Sequence, residues 1–344
     1  MARNIVILKN DATGDLIHSM KAIHNMIYDD KVKSITIFIS KQSEKFKFLI
    51  DHHKVTFVLL NYDLNIFDKI KVFKFILLNK IDEVYILSPK NFYYFLPVFF
   101  FKTKFSAICI NNINNYKRPN KFLRKFLYRQ VINHRDSIFK RESTSEIQNK
   151  LSSINKKFNI NDLLQDKKIS PVLKKYLPKN YIHFHVRKKR LDELSWNITK
   201  LNKVFQEFLK YYENVIITKD IEYDENSEKL KNDYSSFDFS TSIYIKKNPR
   251  ILFFDNIDGE DLYNLVKLSN KVVAFHGMIP SLAWIDKRPV LDLFHCKINN
   301  WNDYRNYRNS FYEFKPNYKK YDFIIPSKDL DKTIRKMKFS IKNG

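Results

Sequence analysis

Short apolar runs alternate with segments of helical spacing along two separate stretches of the chain, and this alternation limits the fold more than any other feature. In the first stretch Asn4 to Leu8, Ser34 to Ile39, Val55 to Leu60, Val84 to Leu87 and Phe105 to Ile110 read as strands. Leu16, Met20, Ile23 and Ile27 recur at helical spacing, and segments near Phe46, Phe67 to Leu78 and Phe92 to Phe101 fill the other gaps as helices. Such alternation predicts a parallel sheet covered on both faces. From Asn111 to Lys179 the strand signal fades. The chain there is basic, with helices predicted over Tyr116 to Arg129 and Ser143 to Ile154, then punctuated by Pro171 and Pro178. A second alternating block follows. Its strands are Tyr181 to Val186, Val215 to Thr218, Ile251 to Phe254, Val272 to Phe275 and Val290 to Leu293, with helices Ile198 to Tyr212, Asp261 to Leu268 and Ser281 to Ile285. Glu222 to Phe239 reads as a polar surface excursion, and a last helix, Lys328 to Ile341, takes Ser327 as its N-cap. Two similar α/β halves with a cleft between them are expected. They cover residues 1–170 and 171–326, with a closing helix over 327–344 and the boundary near Asp166 to Asn180.

Within that frame the glycine content excludes several chemistries. The 344 residues include only Gly14, Gly259, Gly277 and Gly344. A dinucleotide fingerprint or a P-loop needs clustered glycines so that backbone amides can approach phosphate, and a nucleophile elbow needs flanking ones. None of these patterns is present. The two cysteines, Cys109 and Cys296, cannot build a disulfide framework or a cysteine zinc site, which points to a reducing compartment. The longest apolar run, Phe92 to Phe101 with Pro97 inside it, is too short to span a bilayer. No leader pattern opens the sequence, and a cytosolic protein is expected. The formal charge of +25 calls for an anionic partner or surface. It is discounted as evidence for nucleic acid, because heavy use of Lys, Asn, Ile, Phe and Tyr also follows from a coding bias toward A and T.

The strongest local signal is Ile5-Val-Ile-Leu-Lys-Asn-Asp-Ala-Thr-Gly-Asp-Leu-Ile-His18. It leaves the first strand where ligands of open α/β sheets bind. Gly14 is expected to permit a tight turn, with Asp15 at the start of the next helix. Asp15 reads either as a helix-capping carboxylate or as a general base. Thr13-Gly-Asp-Leu-Ile-His18 resembles the N-terminal signature of the heptosyltransferases, glycosyltransferase family 9. Phe126 to Glu146, Tyr181 to Trp196 and Asp261 to Phe294 resemble later parts of that family. The resemblance implies a GT-B fold, two Rossmann-like domains with a sugar nucleotide bound mainly by the second. It also implies an inverting, metal-independent transfer, with Asp15 taking the proton of an acceptor hydroxyl. His18, one turn on, is expected either to orient Asp15 or touch a substrate phosphate, or simply to pack.

The leaving nucleoside diphosphate implied by the resemblance must be met by cations or fixed donors. Thr13 and Gly14 are expected on the donor side with Arg187, Lys188 and Arg190, although a solvated charge run is the plain reading of that basic cluster. The family's lysine before a tryptophan corresponds here to Leu194, so the cluster stands as its substitute. The nucleotide loop departs as well. Where the family has Asp-Thr-Gly, this chain has Phe275-His-Gly-Met-Ile-Pro-Ser281. His276, Gly277, Met278 and Ser281 are nevertheless expected around the donor phosphates, at a helix N-terminus. His183 and His185 share one face of a strand and read as a satisfied buried pair rather than metal ligands. In the basic segment from Tyr116 to Arg129, Phe122, Leu123, Phe126 and Leu127 share one face. It reads equally as a core-facing helix or as one meeting anionic lipid or a phosphorylated glycolipid, with Arg118, Lys121 and Arg124 beside the acceptor. The reading is a glycosyltransferase that needs no cofactor and acts on a cell-envelope glycan such as lipopolysaccharide, in the cytoplasm with peripheral contact at the inner membrane. Its alternatives are a degenerate GT-B nucleotide binder without turnover, or a basic nucleic-acid-binding protein. No recognisable nucleic-acid module supports the last.

Overall fold

The computed structural model describes residues 2–111, 117–134, 142–152, 164, 169–220, 225–295 and 318–342. Among these, 2–152 belong to one compact unit and 164–342 to a second.

The first unit is built on β1 (Arg3–Lys9), β2 (Val32–Ser40), β3 (Val55–Leu60), β4 (Glu83–Ile86) and β5 (Lys104–Asn111), joined by β6 (Lys117–Arg118) and β7 (Arg129–His134). The order is β3-β2-β1-β4-β5-β6, with β7 also paired to β5. All these pairs are parallel except β5 with β6. Ile5 to Leu8 are buried without alternation, as befits a central strand covered on both faces. Helix α1 (Thr13–Ile27) buries Leu16, Met20, Ile23 and Ile27, the residues whose spacing predicted it. A 3₁₀ helix, Lys41–Ile50, precedes β3, and α2 (Ile66–Leu78) and α3 (Asn91–Phe99) follow β3 and β4. A capping box between Asn65 and Asp68 starts α2.

The helix expected from Tyr116 to Arg129 is not formed. Tyr116 lies outside the described residues, Lys117–Arg118 is a strand, Lys121–Arg124 is a single turn, and β7 begins at Arg129. Pro119 has no N–H to give a helix, and the Asn120 side chain caps Leu123, so helical structure starts only at Lys121. Of the expected apolar face only Leu123 is buried; Phe122 and Phe126 are exposed. The helix predicted from Ser143 is Thr144–Asn149, and positions 153 and 154 at its expected end lie outside the described residues.

The second unit contains β8 (Tyr181–Val186), β9 (Asn214–Lys219), β10 (Ser235–Asp238), β11 (Ile243–Ile245), β12 (Ile251–Asp255), β13 (Lys271–Phe275), β14 (Val290–Leu293) and β15 (Tyr321–Ile324). Their order is β11-β10-β12-β9-β8-β13-β14-β15, all parallel except β10 with β11. The stretch expected as a surface excursion instead supplies helix Glu225–Asp233 and β10, which sits inside the sheet. Polar Ser235 is tolerated there because its hydroxyl donates to the Asn248 carbonyl at 2.8 Å and accepts from the Lys247 amide at 2.8 Å. The final helix, Leu330–Lys342, buries Leu330, Ile334, Met337 and Ile341 in the core of this unit. Asp329, not Ser327, caps it, accepting from the Lys332 amide at 3.1 Å.

Candidate functional site

In the first sheet the strand order reverses between β1 and β4, and ligands of open α/β sheets bind beyond the carboxyl ends of such strands. The chain leaving β1 is fixed tightly there. Lys9 is 2% exposed and its Nζ lies 2.8 Å from Asp11 Oδ2. Burial raises the Asp11 carboxyl, but Lys9, the Ser88 hydroxyl and Lys90 outweigh it and hold Asp11 below its ordinary range. Asn10 Nδ2 donates to the Asn61 and Tyr62 carbonyls at 2.9 and 3.3 Å, and its Oδ1 accepts from the Tyr93 hydroxyl at 2.7 Å. The Ser40 hydroxyl donates to the Asp11 carbonyl at 2.7 Å.

Asp15 stands in the first turn of α1 and lines a pocket of about 170 Å³ with Lys9, Asp11, Asn133, Thr144 and Gln148. Two carboxylates thus share one small pocket, Asp11 clamped by a buried lysine and Asp15 at a helix start. Gly14 is the second residue of that helix and has no positive φ, so the tight turn expected of it is absent. Extended Ala12, with φ −64° and ψ 158°, makes the entry into the helix instead. Thr13 is turned inward, its Oγ1 donating to the Gln42 carbonyl at 3.2 Å. His18 is buried and lines neither this pocket nor the next one.

A larger pocket of about 420 Å³ shares Asp11 and gathers Tyr62, Asp63, Lys69, Lys90 and Arg118. Burial lowers the Lys90 ammonium, opposed by Asp11 and Asp63. Of the residues expected beside an acceptor, Arg118 alone reaches this pocket, with Nη1 donating to the Pro89 carbonyl at 3.0 Å. Arg124 is bound to Pro119, Ile110 and Asn111, tying β5 to the turn after it, and Lys121 is exposed. Sequence reasoning missed Lys9, Asp11 and Lys90. Lys9 and Asp11 lie within the segment Ile5 to His18, just ahead of the signature that led to Asp15, and Lys90 follows the fourth strand, where the topology alone would have sought it.

The second sheet reverses between β8 and β13. Arg187 follows the first of these, His276 and Gly277 the second. Arg187 Nη1 donates to the His276 carbonyl at 2.8 Å, and its Nε lies 3.5 Å from Asp220 Oδ2. Gly277 has φ +149°, and a Cβ there would stand 3.0 Å from Arg187 Nη1. The backbone therefore selects glycine, and any side chain there would also have to displace the guanidinium. Helix Met278–Ile285 starts at once, bringing its N-terminal amides to this turn. Met278 opens that helix, while buried Ser281 turns its hydroxyl back to the Gly277 carbonyl at 3.0 Å. His276 packs on Phe294, and its Nδ1 lies 2.6 Å from Asp292 Oδ2, which also accepts from the Tyr321 hydroxyl at 2.6 Å. Asp292 and Tyr321 escaped sequence reasoning, the first inside an apolar strand and the second in a strand not foreseen.

The rest of the basic cluster follows the plain reading. Lys188 and Arg190 meet Asp192 and Glu193 of their own helix at 2.6 and 2.7 Å, and Leu194 is buried in the core. His183 Nε2 and His185 Nδ1 both reach Thr218 Oγ1, at 2.7 and 2.8 Å, so the pair is buried as expected but only partly satisfied, because His183 Nδ1 is buried with no hydrogen-bond partner among the described residues.

No family model matches this sequence, and no curated protein matches it. Solved structures do. E. coli heptosyltransferase WaaC with ADP aligns over 99% of each chain at a TM-score of 0.65 and 11% identity. E. coli ADP-heptose lps heptosyltransferase II aligns over 99% of each at 0.61 and 11%. UDP-GlcNAc 2-epimerase from Methanocaldococcus jannaschii aligns over 98% of this chain and 92% of its own at 0.58 and 12%. The chain has the GT-B fold. Transferases and an epimerase share that GT-B scaffold, so the chemistry of this chain has to be argued from its own residues. Gly277 and Asp15 each lie beyond a strand at the order reversal of one half of it.

Proposed function

We propose that the protein is an inverting glycosyltransferase that moves a sugar, a heptose or a related one, from a nucleoside diphosphate sugar to lipopolysaccharide or another cell-envelope glycan. The observation that carries this reading is the placement of Asp15 beside the Lys9–Asp11 pair in a pocket at the reversal of the first GT-B sheet. Asp11 is engaged by Lys9 and held low, which makes it a poor proton acceptor, and Asp15, which stands in the first turn of α1 at the same pocket and matches the family signature, is assigned as the base. Asp15 takes the proton of the acceptor hydroxyl as that oxygen bonds to the anomeric carbon. The bond from that carbon to the diphosphate oxygen breaks with its electron pair, and attack from the opposite face inverts the centre.

In the second unit the leaving diphosphate meets Arg187, His276 and the amides after Gly277. Lys188 and Arg190 follow Arg187 in helix Lys188–Leu194, where they pair with Asp192 and Glu193. No metal or other cofactor enters this scheme. The cations of the larger pocket, Lys69, Lys90 and Arg118, suit an anionic acceptor. We place the reaction at the cytoplasmic face of the inner membrane. Thermal unfolding against ADP, UDP, GDP and CMP conjugates tests the donor. One nucleoside diphosphate class should raise the midpoint selectively, since a ligand bound only to the folded state stabilises it by about 2.7 kcal/mol at a hundred times its dissociation constant. No response to any of them would remove the sugar-nucleotide reading.

A further inference from the structure

The outer side of one helical layer in the first unit is apolar where an ordinary surface helix is polar. Val72 and Ile76 of α2, Tyr93 and Leu96 of α3, and Leu123 of the turn Lys121–Arg124 belong to one buried cluster with Val6 of β1. All three elements therefore cover the same sheet face. A helix that has buried one stripe in this way is expected to present polar residues on the other side. Here α2 instead exposes Phe67 (76%), Ile70, Leu77 and Leu78 (77%). Helix α3 exposes Phe95 and Phe99, and Phe101 just beyond it is 83% exposed. Phe73 of α2 lies against Phe99 and Phe100, with ring centroids 5.8 and 4.9 Å apart, so the two helices are neighbours and their outward residues form one band. Scattered exposed apolar residues are normal, whereas a continuous band across adjacent helices marks an interaction surface.

The charge around the band selects its occupant. From Val84 to Arg129 the sequence has no Asp or Glu, and Lys102, Lys104, Lys121 and Lys125 are exposed there, apart from Lys90, Arg118 and Arg124, which are engaged at the Asp11 pocket and at β5. Helix α2 carries Lys69, Lys71 and Lys74, and its one acid, Asp68, is buried in the capping box. A second copy of this face would repel it across the contact. A surface that combines phosphates with an apolar interior satisfies both features. We propose that this face seats the protein on an anionic lipid bilayer, with the phenylalanines entering the acyl boundary and the lysines meeting headgroup phosphates. Among the described residues no helix is long and apolar enough to cross a membrane, so the contact is interfacial. This deepens the membrane-side location in the proposed function and rests on it for its role, but it is tested by binding alone, without any transfer reaction.

The test is flotation of the full chain with vesicles of phosphatidylcholine, with and without phosphatidylglycerol. The wild-type protein should float with the anionic vesicles, weakly or not at all with the neutral ones, and less at high salt. Phe67→Ser, Phe95→Ser and Phe101→Ser combined should lower the affinity for anionic vesicles at least about tenfold, since each ring loses an apolar burial site. Thermal unfolding of that variant should stay as in wild type, and Phe339→Ser in the second unit should bind as wild type. Absence of flotation with anionic vesicles, or flotation unchanged in the triple variant, would overturn the proposal. So would self-association in solution that the triple variant abolishes, because the face would then belong to a second copy.

Discussion

Gly277 and Gly14 show how far one residue type can differ in meaning between two positions. Gly277 has a positive φ and faces the Arg187 guanidinium, so Gly277→Ala brings backbone strain as well as a close contact. The guanidinium can swing aside, but the backbone cannot relax as cheaply. The variant is expected to lose about 1–3 kcal/mol in urea unfolding and to bind nucleoside diphosphate more weakly. Gly14→Ala lies inside a helix and should stay within about 1 kcal/mol of wild type, either way. Equal losses from the two changes would contradict this assignment. The place of Asp15 at a helix start beyond the first strand was legible, because a carboxylate after a strand and a lone glycine is a local pattern. Asp292 was not, because what makes it notable is the partnership with His276 and Tyr321, brought together from three places in the chain.

At the scale of elements, β8 and β9 hold a polar pair in the middle of an apolar sheet. Thr218 on β9 serves both His183 and His185 on β8, and burial pushes His183 down to about 3 and His185 well below its ordinary 6.5. His24 on α1 is likewise lowered to about 4, chiefly by burial. Between pH 6.5 and about 4 the unfolded chain takes up protons on these rings that the folded chain refuses. Their contribution is therefore complete above pH 6.5 and is lost as the pH falls, by up to about 1.4 kcal/mol per pH unit for each ring. Urea unfolding should show a clear loss between pH 7.5 and 5, reduced by His183→Gln with His185→Gln. A flat profile would contradict the buried neutral pair. The strands at the centre of each sheet were legible because burial on both faces demands continuous apolar runs. Ser235–Asp238 and Tyr321–Ile324 were not, because partners brought from other parts of the chain satisfy their polar residues, Lys247 and Asn248 for Ser235 and Asp292 for Tyr321. The segment after Lys117 misled because apolar spacing outweighed Pro119 and Asn120.

For the whole molecule, the alternation of strand and helix foretold two parallel sheets, and the signature around Asp15 led to the GT-B fold. What the sequence could not convey was which cations stand over a pocket and which are spent on neighbours. Lys188 and Arg190 sit beside acids of their own helix, whereas Arg118 and Lys90 line a pocket with Asp11. The central claim is that this scaffold transfers a sugar with Asp15 as base. Its most direct test is acceptor-dependent release of nucleoside diphosphate from a nucleotide sugar, measured with wild type and with Asp15→Asn. Wild type should release it only when a glycan acceptor is present and give an inverted product, while Asp15→Asn should bind the donor equally and turn over about 10²–10⁴-fold more slowly. Unchanged turnover in the folded variant, or conversion of the donor sugar without any acceptor, would contradict the account.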